Sequence, residues 1–143
     1  MIYTSYFANI KNLEKNYIPI AICGKSPDNY NGLEYKKLAP KWKFFKEWKE
    51  NKDNNFYIEH FNEEVLNILN PLDVIGDLED LIKKSDLYDD NLKIFLEIVN
   101  CMIWDNPHIH IVLICYEKPG DFCHRHLVSK WLEDNNIKCK ELI

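Results

Sequence analysis

The stretch VLICYEKPGDFCHRHLVSKWL, residues 112–132, places chemically reactive side chains between an apolar segment and an amphipathic one. Two thiols, a carboxylate, an imidazole and a guanidinium occur there: Cys115, Glu117, Cys123, His124 and Arg125. Such a set suits anion binding, general acid–base chemistry or nucleophilic catalysis by a thiol. The sequence predicts a functional site here, and it indicates the place of that site more clearly than its reaction.

Two elements position these residues. The apolar segment 109–115 predicts a buried strand, and the amphipathic segment at about 122–135 predicts a helix. In open parallel sheets, ligands bind where strands end and the following helices begin. The free N–H groups and the positive dipole at a helix start favour anions. We therefore expect an anion-binding site at the joint 115–125, with Asp121 capping the helix.

Arg125 is the single arginine among eighteen basic residues. Arginine differs from lysine in its planar fork of donors, which matches a carboxylate or a phosphate bidentately. We therefore expect Arg125 to bind the anion. The alternative is that a lone guanidinium braces a loop.

Helical phase assigns a direction to His124. A buried stripe of apolar residues follows it, and His124 falls near the centre of that stripe. We expect His124 to point inward, towards Glu117, either as an acid–base group or as a structural, hydrogen-bonded histidine. Glu117 is correspondingly either a general base or a structural clamp for Arg125.

The two thiols of the joint differ in their surroundings. A helix N-terminus and an adjacent cation both lower a thiol pKa, so Cys123 is the candidate nucleophile. Cys115 ends an apolar strand and is either a small core residue or a ligand contact. A metal site formed by Cys115, Glu117, Cys123 and His124 is an alternative, but their spacing matches no common zinc pattern, so we expect neither a metal nor another cofactor.

The ends of the other parallel strands add candidates for ligand binding. Tyr6 closes the first strand, and Lys25 and Ser26 follow the second, where they would complete a phosphate pocket. The sequence CGKS at 23–26 is not a Walker motif, because the preceding glycine-rich run is missing.

The order of elements predicts the fold class. Short strands at MIYTSYF and YIPIAICG flank a helical ANIKNLEKN, which predicts a parallel unit with a right-handed crossover. Helices are predicted after Pro40 and at 54–69, 72–84 and 91–104, and IKCKELI predicts a closing strand. We expect one α/β, Rossmann-like domain over 1–143, mainly a parallel sheet with helices on both faces and a helical insertion at about 85–108.

Charge is distributed unevenly. The net charge of −5 argues against a general nucleic-acid coat protein. Residues 36–52 nevertheless hold seven lysines against two glutamates, a local balance of +5 that leaves −10 for the rest. Lysines interleaved with aromatic residues permit nucleic-acid binding by phosphate contacts and stacking. The alternative is an amphipathic helix that buries Trp42, Phe45 and Trp48 beneath its lysines.

Composition also predicts the compartment. No apolar run reaches the roughly 18–20 residues that span a bilayer, and the first residues lack the features of a secretory signal. The number of cysteines, five, is odd, and none of them has CxxC spacing. This pattern fits reduced thiols better than a disulfide framework. We expect a cytoplasmic protein without a membrane partner, and the sequence does not indicate its oligomeric state.

The segment ICYEKPGDFCHRHLVSKWL closely resembles the signature block of the family catalogued as domain of unknown function 488. The segment SPDNYNGLEYKKLAPKWKFFKEWKENKDNNFYIEHFNEEVLNIL looks like the middle section of that family. The resemblance spans nearly the whole chain, with 85–108 as an insertion. It implies a small bacterial, archaeal or phage α/β protein of the cytosol, and it brings no settled reaction. The corresponding site residues would be Cys115, Glu117, Cys123, His124 and Arg125.

These observations lead to one expected function and two alternatives. We expect binding of a phosphate-bearing, nucleotide-like small molecule at the joint 115–125. The first alternative is an enzyme of nucleotide or nucleic-acid metabolism, with Glu117 or His124 as acid–base and Cys123 as nucleophile. The second is nucleic-acid binding through residues 36–52.

Overall fold

The computed structural model describes residues 1–85 and 109–143. The strands of these residues form one sheet: β1 (Ile2–Tyr6), β2 (Tyr17–Ala21), β3 (Leu33–Glu34), β4 (His110–Cys115) and β5 (Cys139–Glu141). Their order is β3-β2-β4-β1-β5, and every pairing is parallel. The fold is therefore the predicted α/β, Rossmann-like class.

The described α-helices are α1 (Trp42–Asn51), α2 (Asn54–Phe61), α3 (Pro71–Lys83) and α4 (His124–Asp134). A π-helical turn, Asn62–Leu66, continues α2, and short 3-10 helices span Phe7–Asn12 and Lys36–Leu38. Side-chain caps start two of the α-helices, since Asp53 and Asn70 each accept backbone N–H groups of the first turn. None of the helices in the described ranges combines the length and the apolar character that a membrane crossing requires.

Strand β4 is the centre of the sheet, with β1 on one side and β2 on the other. Residues 111–115 are all buried, which explains why both faces of this strand are apolar in sequence. The register sets Cys115 opposite Tyr6 and Ile114 opposite Ala21. The carboxyl ends of β1, β2 and β4 therefore meet at one edge of the sheet.

The structure corrects some predicted elements. The segment predicted as a helix after β1 is a 3-10 helix, in which the Asn9 side chain bonds to Ser5 Oγ. Strand β3 was missed because two residues are too short for a periodic pattern. The predicted helix 91–104, and all of the predicted insertion except Ser85, lie outside the described residues.

Candidate functional site

The joint between β4 and α4 is a turn that ends at Cys123. This residue is the N-cap of α4 and has an extended backbone, with φ −154° and ψ 143°. Gly120 supplies the left-handed conformation within the turn, with φ 90°. Asp121 was expected to cap the helix, but the helix begins after Cys123, so Asp121 remains in the turn.

His124 is the first residue of α4 and is only 4% exposed, so the inward direction expected from helical phase is confirmed. Its Nε2 lies 2.8 Å from the backbone oxygen of Ile22. A carbonyl oxygen only accepts, so Nε2 carries a proton and donates. Nδ1 then faces two sulfurs, at 3.6 Å from Cys115 and 4.0 Å from Cys123. The hydrogen bonds of His124 thus go to Ile22 and the thiols, instead of to Glu117.

Cys115 and Cys123 form a buried pair of free thiols. A hydrogen bond from Cys115 lowers the pKa of Cys123, against the opposing effect of burial. The same hydrogen bond, together with burial, raises the pKa of Cys115. These opposite shifts favour a thiolate on Cys123 over one on Cys115.

Glu117 lies just beyond this pair, with Oε2 3.8 Å from Cys115 Sγ. Burial raises the pKa of Glu117, and the charge of Cys123 adds to the effect. A raised pKa brings a carboxyl group closer to the pH range in which general acids and bases work. The joint therefore combines two thiols with opposite pKa shifts, an oriented imidazole and a carboxyl group.

Arg125 occupies a different place from the one expected. The side chain is fully buried; Nε donates to Glu141 Oε1 at 2.6 Å and Nη1 donates to the Glu117 carbonyl at 2.7 Å. Burial acts to lower the pKa of Arg125, but the hydrogen bond to Glu141 and the charge of Cys123 outweigh it and raise the pKa. The guanidinium ties α4 to β5 and to the turn after β4, as in the bracing alternative.

A cavity of about 790 Å³ opens beside the joint. Its floor consists of Cys115, Glu117, Cys123 and His124. Aromatic side chains and lysines, some from the same turn and some from other elements, also line the cavity: Tyr116, Phe122, Trp42, Phe45, Trp48, Tyr57, Lys25, Lys36 and Lys49. The size falls within the roughly 300–1,000 Å³ typical of small-molecule sites.

The aromatic face of α1 forms one wall of this cavity. The Trp42 and Phe45 ring centroids are 6.1 Å apart, and those of Phe45 and Trp48 are 5.9 Å apart. Trp42 is 67% exposed, whereas Phe44, on another face of the helix, is buried in the core. The expectation that Trp42, Phe45 and Trp48 lie beneath the lysines is therefore wrong for Trp42, and Phe44 is the core residue of this helix.

The structure brings five of the predicted site residues to the cavity, and these are Lys25, Cys115, Glu117, Cys123 and His124. The lining residues do not include Arg125, Ser26 or Tyr6; Ser26 Oγ lies 3.7 Å from Cys23 Sγ, and Tyr6 is half-buried beside β4. Sequence reasoning missed the α1 residues as part of this site. Their helical spacing was visible, but spacing alone does not say which surface a helix faces.

Comparison with known proteins adds no relative: no family model, no curated protein and no solved structure matches the chain. The similarity to the domain of unknown function 488 family therefore stays a prediction from the quoted segments.

Replacing Arg125 with Ala should lower the free energy of unfolding by about 3 kcal/mol, because Glu141 and the Glu117 carbonyl lose a buried partner. Urea denaturation measures the loss. The matched control is Lys130→Ala on the same helix, which removes only an exposed pair with Asp134 and should cost less than about 1 kcal/mol. A loss for Arg125→Ala no larger than that of the control would contradict the bracing role.

The ultraviolet absorbance of thiolates should reveal the ionised Cys123. Because the pKa of Cys123 is lowered, the difference between wild type and Cys123→Ser should persist well below the free-cysteine pKa of about 8.5, disappearing only in acid. Cys139→Ser is the control: burial raises the pKa of Cys139 to about 11, so this variant loses no thiolate signal at neutral pH. A difference signal that develops only above about pH 8.5 would be incompatible with the thiolate.

Proposed function

We propose that the chain binds a phosphate-bearing, nucleotide-like small molecule in the cavity at the joint of β4 and α4. One observation carries this proposal: an aromatic wall, a lysine rim and a polar floor line the same cavity. The joint 115–125 and the segment 36–52, which the sequence presents as separate features, contribute to one surface. Neither feature alone accounts for a nucleotide, whereas together they offer a place for its ring and for its phosphate.

The aromatic wall supports binding of a planar ring. A tryptophan that is 67% exposed, such as Trp42, leaves a large apolar surface in water, and a ligand ring would cover it. Stacking of a base on an aromatic side chain contributes about 1–3 kcal/mol and tolerates different bases. Trp42, Phe45 and Trp48 lie one turn apart along α1, so they offer adjacent stacking positions.

The rim supports binding of a phosphate. Within the described residues, neither Lys25 nor Lys49 has a carboxylate oxygen within 4.0 Å. Lys36, by contrast, already pairs with Glu34 and donates to the Gly24 carbonyl. Lys25 and Lys49 are both exposed, and Lys49 Nζ lies 4.9 Å from the Phe45 ring centroid, so a positive charge stands beside the aromatic wall where an anion would enter.

The floor determines the orientation of the ligand in this proposal. The Cys123 thiolate and Glu117 would repel a phosphate, so the phosphate belongs at the rim, near Lys25 and Lys49. The polar edge of the ring would then face the floor, where acceptor groups are available to its N–H donors. This arrangement differs from the expected one, in which Arg125 held the anion.

Isothermal titration with nucleoside monophosphates, the matching nucleosides and inorganic phosphate tests the proposal. We expect a monophosphate to bind more tightly than its nucleoside, and inorganic phosphate to bind weakly. Trp42→Ala should weaken binding by about 1–3 kcal/mol through lost stacking. Lys49→Ala should weaken binding of the monophosphate but leave the nucleoside unchanged, because only the phosphate meets this lysine.

Lys130→Ala serves as the control, since Lys130 is exposed on α4 and does not line the cavity. Equal affinities for wild type, Trp42→Ala and Lys49→Ala would refute the proposed pose, and absence of binding across the panel would refute the proposed ligand. An oligonucleotide that binds more tightly than every mononucleotide, with strong dependence on salt, would favour nucleic-acid binding through 36–52.

A second candidate is an enzyme of nucleotide or nucleic-acid metabolism, favoured by the position of Cys123 at a helix start on the cavity floor. The Cys123 sulfur would form a bond to an electrophilic atom of the ligand as the leaving group departs with its electron pair. Glu117 would protonate that leaving group.

Intact-mass measurement after incubation with the nucleotide panel tests the enzyme candidate. A covalent adduct or a released product is expected with wild type and with Cys139→Ser, and neither is expected with Cys123→Ser. Turnover that survives in Cys123→Ser would exclude Cys123 as the nucleophile.

A further inference from the structure

Three side chains at the joint bring metal-ligating atoms together. Cys115 ends β4, Cys123 precedes α4 and His124 begins it, and their ligand atoms all lie within 4.8 Å of one another. All three residues are at most 4% exposed. The turn between β4 and α4 folds back so that residues eight and nine positions beyond Cys115 return to its sulfur. A strand end and a helix start thus build the cluster on two rigid elements.

The spacing of the atoms is close to that of a tetrahedral metal site. Zinc binds cysteine sulfur at about 2.3 Å and histidine nitrogen at about 2.0–2.1 Å, which places Sγ and Nδ1 about 3.6 Å apart across a tetrahedral angle. The distances from His124 Nδ1 are 3.6 Å to Cys115 Sγ and 4.0 Å to Cys123 Sγ. The two sulfurs lie within 4.8 Å of each other, compared with about 3.8 Å for two sulfurs bound to one tetrahedral zinc ion.

The orientation of the imidazole is already that of a ligand. His124 donates from Nε2 to the Ile22 carbonyl, and this hydrogen bond leaves the lone pair on Nδ1 directed at the sulfurs. Metal-binding histidines regularly donate their second nitrogen to a carbonyl or carboxylate, which fixes the ring and its tautomer. Ile22 therefore acts as the backbone partner that such a site requires.

We propose that Cys115, Cys123 and His124 bind a thiophilic divalent cation, best matched by zinc, with a fourth coordination position open to the cavity. Two thiolates and one imidazole form a soft ligand set that zinc prefers over magnesium or calcium. The same three side chains line the cavity, so a water molecule or a ligand atom can reach the fourth position. Glu117, with Oε2 3.8 Å from Cys115 Sγ, is placed to hydrogen-bond to that fourth ligand.

This site differs from the sequence expectation, in which no metal was assigned. The spacing from Cys115 to Cys123 and His124 is not a common zinc motif, and the folded joint adds the short distances between their ligand atoms. The metal proposal stands without the proposed nucleotide. The metal site is an alternative to the nucleophile role of Cys123, because the Cys123 sulfur would then be bound to zinc instead of attacking a ligand.

Cobalt substitution tests the site in the full chain. After removal of metals by a chelator under reducing conditions, the protein is titrated with Co²⁺ alone, without nucleotide. We expect one equivalent to bind, with intense visible bands of tetrahedral cobalt and an ultraviolet band of sulfur-to-cobalt charge transfer. Addition of one equivalent of Zn²⁺ should abolish both signals, because zinc displaces cobalt from cysteine-rich sites.

Variants then identify the ligands. Cys115→Ser, Cys123→Ser and His124→Ala should each weaken Zn²⁺ binding by at least about 100-fold in a competition with a chromogenic chelator. Cys139→Ser is the matched control, since Cys139 is a buried cysteine outside the cluster, and it should bind as wild type does. Circular dichroism identifies any variant that does not fold.

The cobalt spectrum of the wild type decides the proposal even where a variant does not fold. A spectrum without sulfur charge transfer, or no cobalt bound with the thiols reduced, would overturn it. Equal Zn²⁺ affinity in wild type and in folded Cys115→Ser and Cys123→Ser variants would also overturn it, because the metal would then be held elsewhere. None of these results depends on nucleotide binding.

Discussion

The hydrogen bond from His124 Nε2 to the carbonyl of Ile22 is the contact on which the site depends. It spans 2.8 Å, is buried, and joins the first residue of α4 to the residue that follows β2. The amide of Ile22 in turn donates to the Ile114 carbonyl, so the same residue extends the pairing of β2 with β4. A single imidazole thus links two strand ends to a helix start, and Phe61 of α2 packs against its ring, with centroids 5.4 Å apart.

Because this bond occupies Nε2, it also determines which groups the other ring nitrogen, Nδ1, can contact. Nδ1 is left to interact with the thiols of Cys115 and Cys123, whether it receives a hydrogen bond or binds a cation. The neighbouring Arg125 is rotated by one helical step and reaches Glu141 on β5 instead. These two consecutive residues therefore have different roles. His124 forms part of the cavity floor, and Arg125 holds α4 against the sheet.

Much of this arrangement follows from local pattern. The apolar run of β4 predicted a strand covered on both faces, and the order of elements predicted a parallel sheet with reactive residues where a strand ends. The apolar stripe of α4 predicted that His124 points inward. These features follow from local periodicity, since each depends on residues within one element or its immediate neighbour.

The hydrogen-bond partners of His124 and Arg125 could not be predicted from the sequence, because they are distant along the chain. Nothing local to His124 indicates Ile22, which lies 102 positions away, or marks Glu141 as the acceptor for Arg125. Arginine was expected to meet a ligand because its fork suits an external anion, but the Glu141 carboxylate and the Glu117 carbonyl of the same chain bind the guanidinium instead. The exposed face of Trp42 is a similar case, since amphipathic spacing does not distinguish a helix face in the core from one that lines a cavity.

The most direct measurement of this account is the tautomer of His124 in the reduced protein, read from the nitrogen chemical shifts of its ring by NMR. We predict a proton on Nε2, protected from exchange with solvent, at every pH where the protein is folded. A neutral ring with its proton on Nδ1 would contradict the account, because the link to Ile22 would then be absent and the lone pair would face away from the sulfurs.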